Sequence, residues 1–341
     1  MNPIKIENFD TMNVHAHLFT LQNEHLTIKI SDYGATIVAI LMKDRYGKTS
    51  DIVLGFDNLQ GYLQDKGKIY YGATIGRNAN RIKNGKFTLN GKTYQLAFNN
   101  GPNHLHGGID NFSSKIFDYE IKENTLKLSY LSKDMEEGYP GELKLDVFYT
   151  LKENQLEIVY DAIGNQDTVC NITNHTYFNL AGEGSGSIAE HFLQIKADHF
   201  IGCDTNGMAT TEFDVDSTPF NFRNFHKIGD YLHQNHLQLL NAKGFDHHFI
   251  FNANQNQIQL KDEKSGRKLT FSSTQNGAQI YTANWFEEEH GKGNSIYRQH
   301  DGIAIEPQWM PDAINRKEQP SLLKANQPYH QVTTITFDID Q

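Results

Sequence analysis

Lys86-Phe87-Thr88-Leu89-Asn90-Gly91-Lys92-Thr93-Tyr94-Gln95-Leu96 alternates apolar and polar residues on both sides of an Asn-Gly pair. Asn-Gly accepts the positive φ angles of a tight turn whose twist matches paired strands, so the stretch predicts a β-hairpin. Period-two text recurs along the chain. Residues 143–151 and 155–161 flank a Lys-Glu-Asn turn, 258–260 and 268–271 flank a loop through Ser265-Gly266, and 331–339 alternates to the end. Helical periodicity is nearly absent; the best segment is 57–64, with Asp57 placed to cap it. Many strands with short turns predict an all-β fold, a large antiparallel β-sandwich with few short helices. Large curved sheets leave a concave face where strand side chains form a rigid polar floor. There is no fixed repeat of about 20–50 residues, which disfavours a propeller or solenoid.

The alternation runs from 18 to 337 without a linker, charge block or composition shift, so residues 1–341 are expected to form a single domain. The net charge of −10 argues against a nucleic-acid partner, since phosphate binding needs a basic face. No stretch approaches the ~20 apolar residues of a membrane helix, and the first residues lack the pattern of a secretory signal. Cys170 and Cys203 supply no disulfide framework and suit a reducing compartment. The expectation is a cytoplasmic protein, a monomer or homodimer, acting on a small molecule.

Candidate chemistry is spread widely. In Asn103-His104-Leu105-His106-Gly107-Gly108, residues two apart on a strand share a face, so His104 and His106 are placed to serve one site. His-x-His is also a metal-ligand pair, and an imidazole can equally be a structural hydrogen-bond partner. His175, in Asn174-His175-Thr176-Tyr177-Phe178-Asn179-Leu180, sits in an alternating run and is expected on a strand, held for proton transfer or simply satisfied in the core. Glu306, in Gly302-Ile303-Ala304-Ile305-Glu306-Pro307-Gln308-Trp309, is a carboxylate inside an apolar strand. Such burial is costly unless the group is paired or functional, and it raises the pKa toward the range of a general base. Pro307 beside it suggests an edge or a bulge; a structural ion pair with an Arg is the alternative.

Asp246, in Gly244-Phe245-Asp246-His247-His248-Phe249, is suited to accept two hydroxyls, or to make an Asx turn. Arg81, in Gly76-Arg77-Asn78-Ala79-Asn80-Arg81-Ile82, offers a planar fork of donors, with Arg77 the better candidate for stapling a loop. Gln279 is a further polar residue on an alternating strand. The Gly-rich run 182–186 lacks both nucleotide-binding patterns, and there is no Gly-x-Ser-x-Gly elbow.

In their order and spread over 76 to 311, these motifs resemble those of the aldose 1-epimerase (galactose mutarotase) family. The resemblance covers nearly the whole chain. It implies a galactose mutarotase-like β-sandwich and an isomerase that interconverts the α and β anomers of free aldoses such as galactose and glucose without a metal or organic cofactor. It implies Glu306 as the catalytic base on the anomeric hydroxyl and His175 as the acid that protonates the ring oxygen. His106 becomes the second catalytic histidine, and Asn80, Arg81, Asp246 and Gln279 become sugar-binding residues. Tyr177, Phe178 or Trp309 are candidates to pack on the apolar face of the sugar. The resemblance assigns nothing to His104, His247 or His248, and the acidic segment 285–295 reads as a solvated loop.

Four rival readings share these residues. A glycosidase needs two opposed carboxylates, and only Glu306 has a strong setting. A non-catalytic sugar sensor would keep Arg81 and Asp246 without needing Glu306 and His175 together. A metal-dependent isomerase would be built on His104 and His106. An epimerase of hexose 6-phosphates would need basic residues that do not cluster near the motifs.

Overall fold

The computed structural model describes residues 3–65 and 69–340. Two large antiparallel sheets face each other. One has nine strands, in the spatial order Asp118–Lys122, Thr125–Ser132, Leu143–Lys152, Gln155–Gly164, Pro328–Ile339, Arg267–Ser273, Ile258–Lys261, Phe192–Ile195 and His226–Lys227. The other has six: Tyr177–Phe178, Ile303–Pro307, Gly277–Tyr281, Asp246–Phe251, Ala197–Cys203 and Ala209–Asp214. A five-stranded sheet from Lys5–Asn8 to Thr49–Asp51 packs beside them.

Period-two patterning accounts for the sandwich. In Leu143–Lys152 every other residue is buried, from Leu143 through Leu145, Val147 and Tyr149 to Leu151. Each large apolar side chain so buried contributes about 1.5–3 kcal/mol. Leu145, Val147, Ile158 and Ile335 of the nine-stranded sheet share one core with Phe178, Phe249, Ile280 and Ile303 of the six-stranded sheet. Ile28, Ile37 and Ile40 of the third sheet join it. Cys170 and Cys203 are buried free thiols.

The Asn-Gly hairpin forms, with Leu89 paired to Lys92 across Asn90 and Gly91, both at positive φ. It stands apart from the large sheets, however, and its Phe87 and Leu89 pack with Tyr139, Val169 and Ile314 in a satellite cluster. The turn after Leu143–Lys152 is tighter than expected, because Lys152 still pairs with Gln155 and only Glu153 and Asn154 turn. The expected helix exists as Leu59–Gln64, but Asn58 caps it by accepting from the Gly61 N–H at 3.1 Å. Asp57 instead accepts from the Gly293 N–H at 2.7 Å. Two further short helices, Ile228–Leu232 and Leu237–Ala242, fit the few short helices expected, at positions that the sequence alone did not single out. No helix among the described residues is long and apolar enough to cross a membrane.

Arg77 is a buried staple. Its guanidinium donates to Ser132 Oγ at 2.9 Å and to the carbonyls of Ser132, Lys133, Pro140 and Gly141 at 3.0, 2.7, 3.1 and 2.8 Å. It thereby ties the segment carrying Asn80 and Arg81 to the loop after Thr125–Ser132. Arg77→Met would leave these acceptors unsatisfied, and each orphaned buried group costs about 1–3 kcal/mol. The expected outcome is a loss of roughly 3 kcal/mol or more, read from the urea midpoint at unchanged slope.

Candidate active site

Glu306 lies on Ile303–Pro307, buried within the six-stranded sheet, directly across from Gln279. Its strand is an interior one, contrary to the edge or bulge that Pro307 suggested. The neighbouring strand Tyr177–Phe178 ends before Pro307, so the missing N–H breaks no ladder bond. The Pro307 carbonyl on that side accepts from Thr173 Oγ1 and Gln331 Nε2, both at 3.0 Å.

His175 occupies that same gap, and it is not on a strand. Thr173–Asn174 pairs with Thr74–Ile75, whereas Tyr177–Phe178 pairs with the Glu306 strand, so the chain changes partners across His175 and Thr176. Asn174 makes the bend: its Oδ1 accepts from Thr176 N at 3.0 Å and Thr176 Oγ1 at 2.5 Å, an Asx turn. Continuing the register of Tyr177 opposite Ala304 back by two residues brings His175 opposite Glu306. Its Nε2 lies 3.5 Å from Glu306 Oε1.

His106 follows the short strand His104–Leu105 in a left-handed conformation, φ +51°. That reverses the alternation, so the two histidines do not share a face. His104 is a structural residue, with Nδ1 at 2.9 Å from the Ala97 carbonyl and Nε2 at 2.8 Å from the Tyr139 hydroxyl. His106 Nδ1 accepts from the Asn80 backbone N–H at 3.1 Å, and the Asn80 carbonyl accepts from the His106 N–H at 3.2 Å. Gly107 permits this approach: at φ +85°, a Cβ there would lie 2.0 Å from the Gly76 carbonyl oxygen.

The hydrogen bonds decide a question of chemistry. His106, His175 and Glu306 offer ligand atoms within 4.8 Å of one another, which invites a metal ion. A ligating imidazole normally donates from its second nitrogen to an acceptor. His106 does the reverse. With Nδ1 accepting, the neutral ring carries its proton on Nε2, and that nitrogen is a donor, not a ligand. The donor set does not fit a metal, and the His104/His106 pair fails on geometry.

The cleft over these residues has a volume of about 460 Å³. Asn80, Arg81, His106, His175, Asp246 and Glu306 all line it. Arg81 Nε donates to Asn100 Oδ1 at 2.9 Å, and its Nη1 lies 3.8 Å from Asp246 Oδ2. Gly207 lies flat against the guanidinium, where a Cβ would stand 2.6 Å from its central carbon. Gln279 does not line the cleft; it is buried, and its Nε2 donates to Asp246 Oδ1 at 2.6 Å. Of the aromatic candidates only Tyr177 faces the cleft; Phe178 belongs to the core, and Trp309 is not on the wall. Tyr70, Tyr281, Trp285 and Phe286 are on it. Trp285 is half exposed at the rim, with the Lys243 ammonium 4.2 Å from its ring centre. The segment 285–295 is thus not merely solvated, since Glu289 also reaches the cleft. Tyr281 was legible, two residues beyond Gln279 on one strand. Asn100, Asn241 and 205–207 are loop or helix-end residues without a periodic signal. His247 is buried, 3.4 Å from Cys203 Sγ and 3.3 Å from Gln238 Oε1.

Burial pushes the His175 imidazole down to about 4. It also holds His106 well below the usual histidine range, with the charges of His175 and Arg81 adding to the effect. Burial raises the Glu306 carboxyl well above the ordinary range; Asp246 adds to this and Arg81 opposes it. Both shifts favour the uncharged form, a carboxyl beside a neutral imidazole.

Residues 17–336 match the aldose 1-epimerase family. A galactose mutarotase from Bos taurus is 42% identical over 327 residues, covering 94% of each chain. An aldose 1-epimerase from Haemophilus influenzae is 34% identical over 332 residues, covering 94% of this chain and 95% of its own. Among solved structures, a GalM/aldose epimerase homologue from C. elegans superimposes with a TM-score of 0.89 at 29% identity, over 96% of this chain and all (100%) of its own.

A carboxyl with raised pKa favours the folded state fully only below its unfolded value, and that stability is lost as pH rises toward the folded value. Glu306→Gln removes the loss. The unliganded variant should melt above the parent at pH 8, by about 2–4 °C per kcal/mol released, with the gap closing toward pH 5. Equal or lower melting at pH 8 in scanning fluorimetry contradicts the raised pKa.

Proposed function

Since the chain belongs to the aldose 1-epimerase family, we propose that its reaction, the interconversion of the α and β anomers of free aldohexoses such as galactose and glucose, runs on the Glu306–His175 pair. The chain is an aldose 1-epimerase, an isomerase. The observation that carries the residue roles is the 3.5 Å separation of His175 Nε2 and Glu306 Oε1. The anomeric hydroxyl oxygen O1 and the ring oxygen O5 are bonded to the same carbon, so two neighbouring side chains can serve as base for one and acid for the other. A glycosidase spaces its two carboxyls more widely, about 5–9.5 Å apart.

Glu306 carboxylate takes the proton from O1–H. The O1 electrons form the C1=O1 double bond, the C1–O5 bond breaks, and O5 takes a proton from His175 imidazolium. The open aldehyde rotates about C1–C2. O5 then attacks the other face of C1, returning its proton to His175, while O1 recovers one from Glu306. Opening converts carboxylate and imidazolium into carboxyl and imidazole, and closing restores them, so the pair's single proton suffices and no cofactor is needed. His106 Nε2–H donates to the sugar near O5. Asn80, Arg81 and Asp246 hold hydroxyls, and Gln279 fixes the Asp246 carboxylate. Arg81 is the only Lys or Arg among the described cleft residues, facing Asp246, Glu289 and Glu306, which supports a neutral sugar over a hexose phosphate. Residues 1–341 act as one domain in this reading, which is supported by a cleft lined from Ile69 to Glu306. The two buried free thiols, Cys170 and Cys203, support a reducing, cytoplasmic compartment.

Polarimetry on freshly dissolved α-D-galactose should show fast approach to the same equilibrium as the blank, insensitive to EDTA. Glu306→Gln should fold and lose about 10³-fold in kcat; retention of most activity removes Glu306 from the base role. The kcat/KM profile should be bell-shaped. Its acid limb should fall near about 4, where His175 takes a second proton onto the pair, and its alkaline limb well above the ordinary carboxylate range, where the pair loses its only proton.

A further inference from the structure

Beneath the cleft, on the same face of the six-stranded sheet, lies a second layer of polar side chains. His248 stands directly opposite Gln279, which stands directly opposite Glu306. Gln308, two residues beyond Glu306, remains in the ladder through its N–H to the Gly277 carbonyl at 3.2 Å. All four side chains are buried, with relative exposures of 1% for His248, 2% for Gln279, 2% for Glu306 and 0% for Gln308.

These four carry polar atoms that no protein group satisfies: both ring nitrogens of His248, the Gln279 Oε1, the Glu306 Oε2 and both amide atoms of Gln308. Buried polar atoms are nearly always hydrogen-bonded, and in a polar pocket the usual partner is an internal water making about three bonds. Gly277 lets the His248 ring lie close over its backbone. It sits between His248 and Gln308 on the intervening strand, and a Cβ there would lie 2.4 Å from His248 Nε2. The only position of this patch without a side chain therefore separates the two residues with the most unsatisfied atoms.

We propose that His248, Gln308 and Gln279 form a closed compartment behind Glu306, spanning Gly277, whose buried water links the Gln308 amide and His248 ring to Glu306 Oε2. Oε1 then serves the reaction at His175, while Oε2 is held from behind. Gln308 and His248 are positioning residues. They orient the carboxyl and lend hydrogen-bond donors to its ionised form, the form that accepts the O1 proton. The inference rests on the reading of Glu306 as the base. The other groups facing that carboxyl are Asp246, which disfavours ionisation, Arg81, which favours it, His175 and His106; Tyr177 lies close by. None of them hydrogen-bonds Oε2.

The test is the kcat/KM–pH profile of Gln308→Met and His248→Phe, two near-isosteric removals of donors. Loss of a hydrogen bond to a charged group should move the alkaline limb upward by about one pH unit, with kcat down about tenfold. Damage that is only structural lowers the rate or the melting temperature and leaves the limb in place. An unmoved limb in both folded variants overturns the compartment. If Glu306→Gln keeps its turnover, the base reading itself falls; if Glu306→Gln is inactive while the limb stays put in the donor variants, only this inference falls. Should neither variant fold, a high-resolution crystal structure of the parent decides. Water within hydrogen-bond reach of both Glu306 Oε2 and Gln308 is expected, and a side-chain contact closing the slot without water is the contrary result.

Discussion

A carboxyl buried in a strand and set 3.5 Å from a buried imidazole is the constraint around which this molecule is organised. Neither group is comfortable ionised in a dry site, and burial pushes their pKa values in opposite senses, toward a shared neutral state. That state has the same net charge as the carboxylate–imidazolium state. Proton relocation within the pair therefore changes no overall charge in a low-dielectric site. The rest of the structure has to keep the pair close, dry and correctly turned.

Several local devices do this, and each has a definite cause. The Asx turn at Asn174 breaks a strand where His175 must leave one sheet and face another. Left-handed backbone at Asn80 and His106 lets two segments exchange hydrogen bonds through the His106 ring, which fixes the tautomer and makes Nε2 a donor. Gly107 is small because the Gly76 carbonyl occupies the space of a side chain, and Gly207 is small because the Arg81 guanidinium does. Arg77 anchors the segment from beneath with bonds to backbone carbonyls. The same His106 tautomer separates proton chemistry from metal chemistry in a donor set whose composition alone permits both.

The site is layered. Arg81, Asp246, His106 and His175 line the cleft; Gln279 supports Asp246 from below, and His248 and Gln308 lie in the same buried layer as Gln279. Gln279 was expected to touch the sugar because alternation placed it on the polar face of its strand. It is on that face, but depth within a face is not a property of alternation, and here it decides between lining the cleft and holding a neighbour that does.

Most of the architecture was legible in the residues, because a period of two and turn chemistry are local properties: the strands around 143–164 and 331–339 and the Asn-Gly hairpin follow from neighbours a few residues apart. Several residues that line the cleft were legible for another reason, since a carboxylate in apolar strand text is costly to bury without a partner or a use. What the sequence could not contain was which of these meet. His104 and His106 share a pattern and separate in space, Phe178 and Trp309 yield the cleft wall to Tyr70, Tyr281, Trp285 and Phe286, and the expected strand at His175 is a break between two. Those outcomes turn on single backbone dihedrals and on contacts between residues a hundred or more positions apart. The chain alone determined a two-sheet β fold carrying a set of titratable and polar residues; only the packing of its sheets and loops decided which atoms lie within a proton's reach of one another.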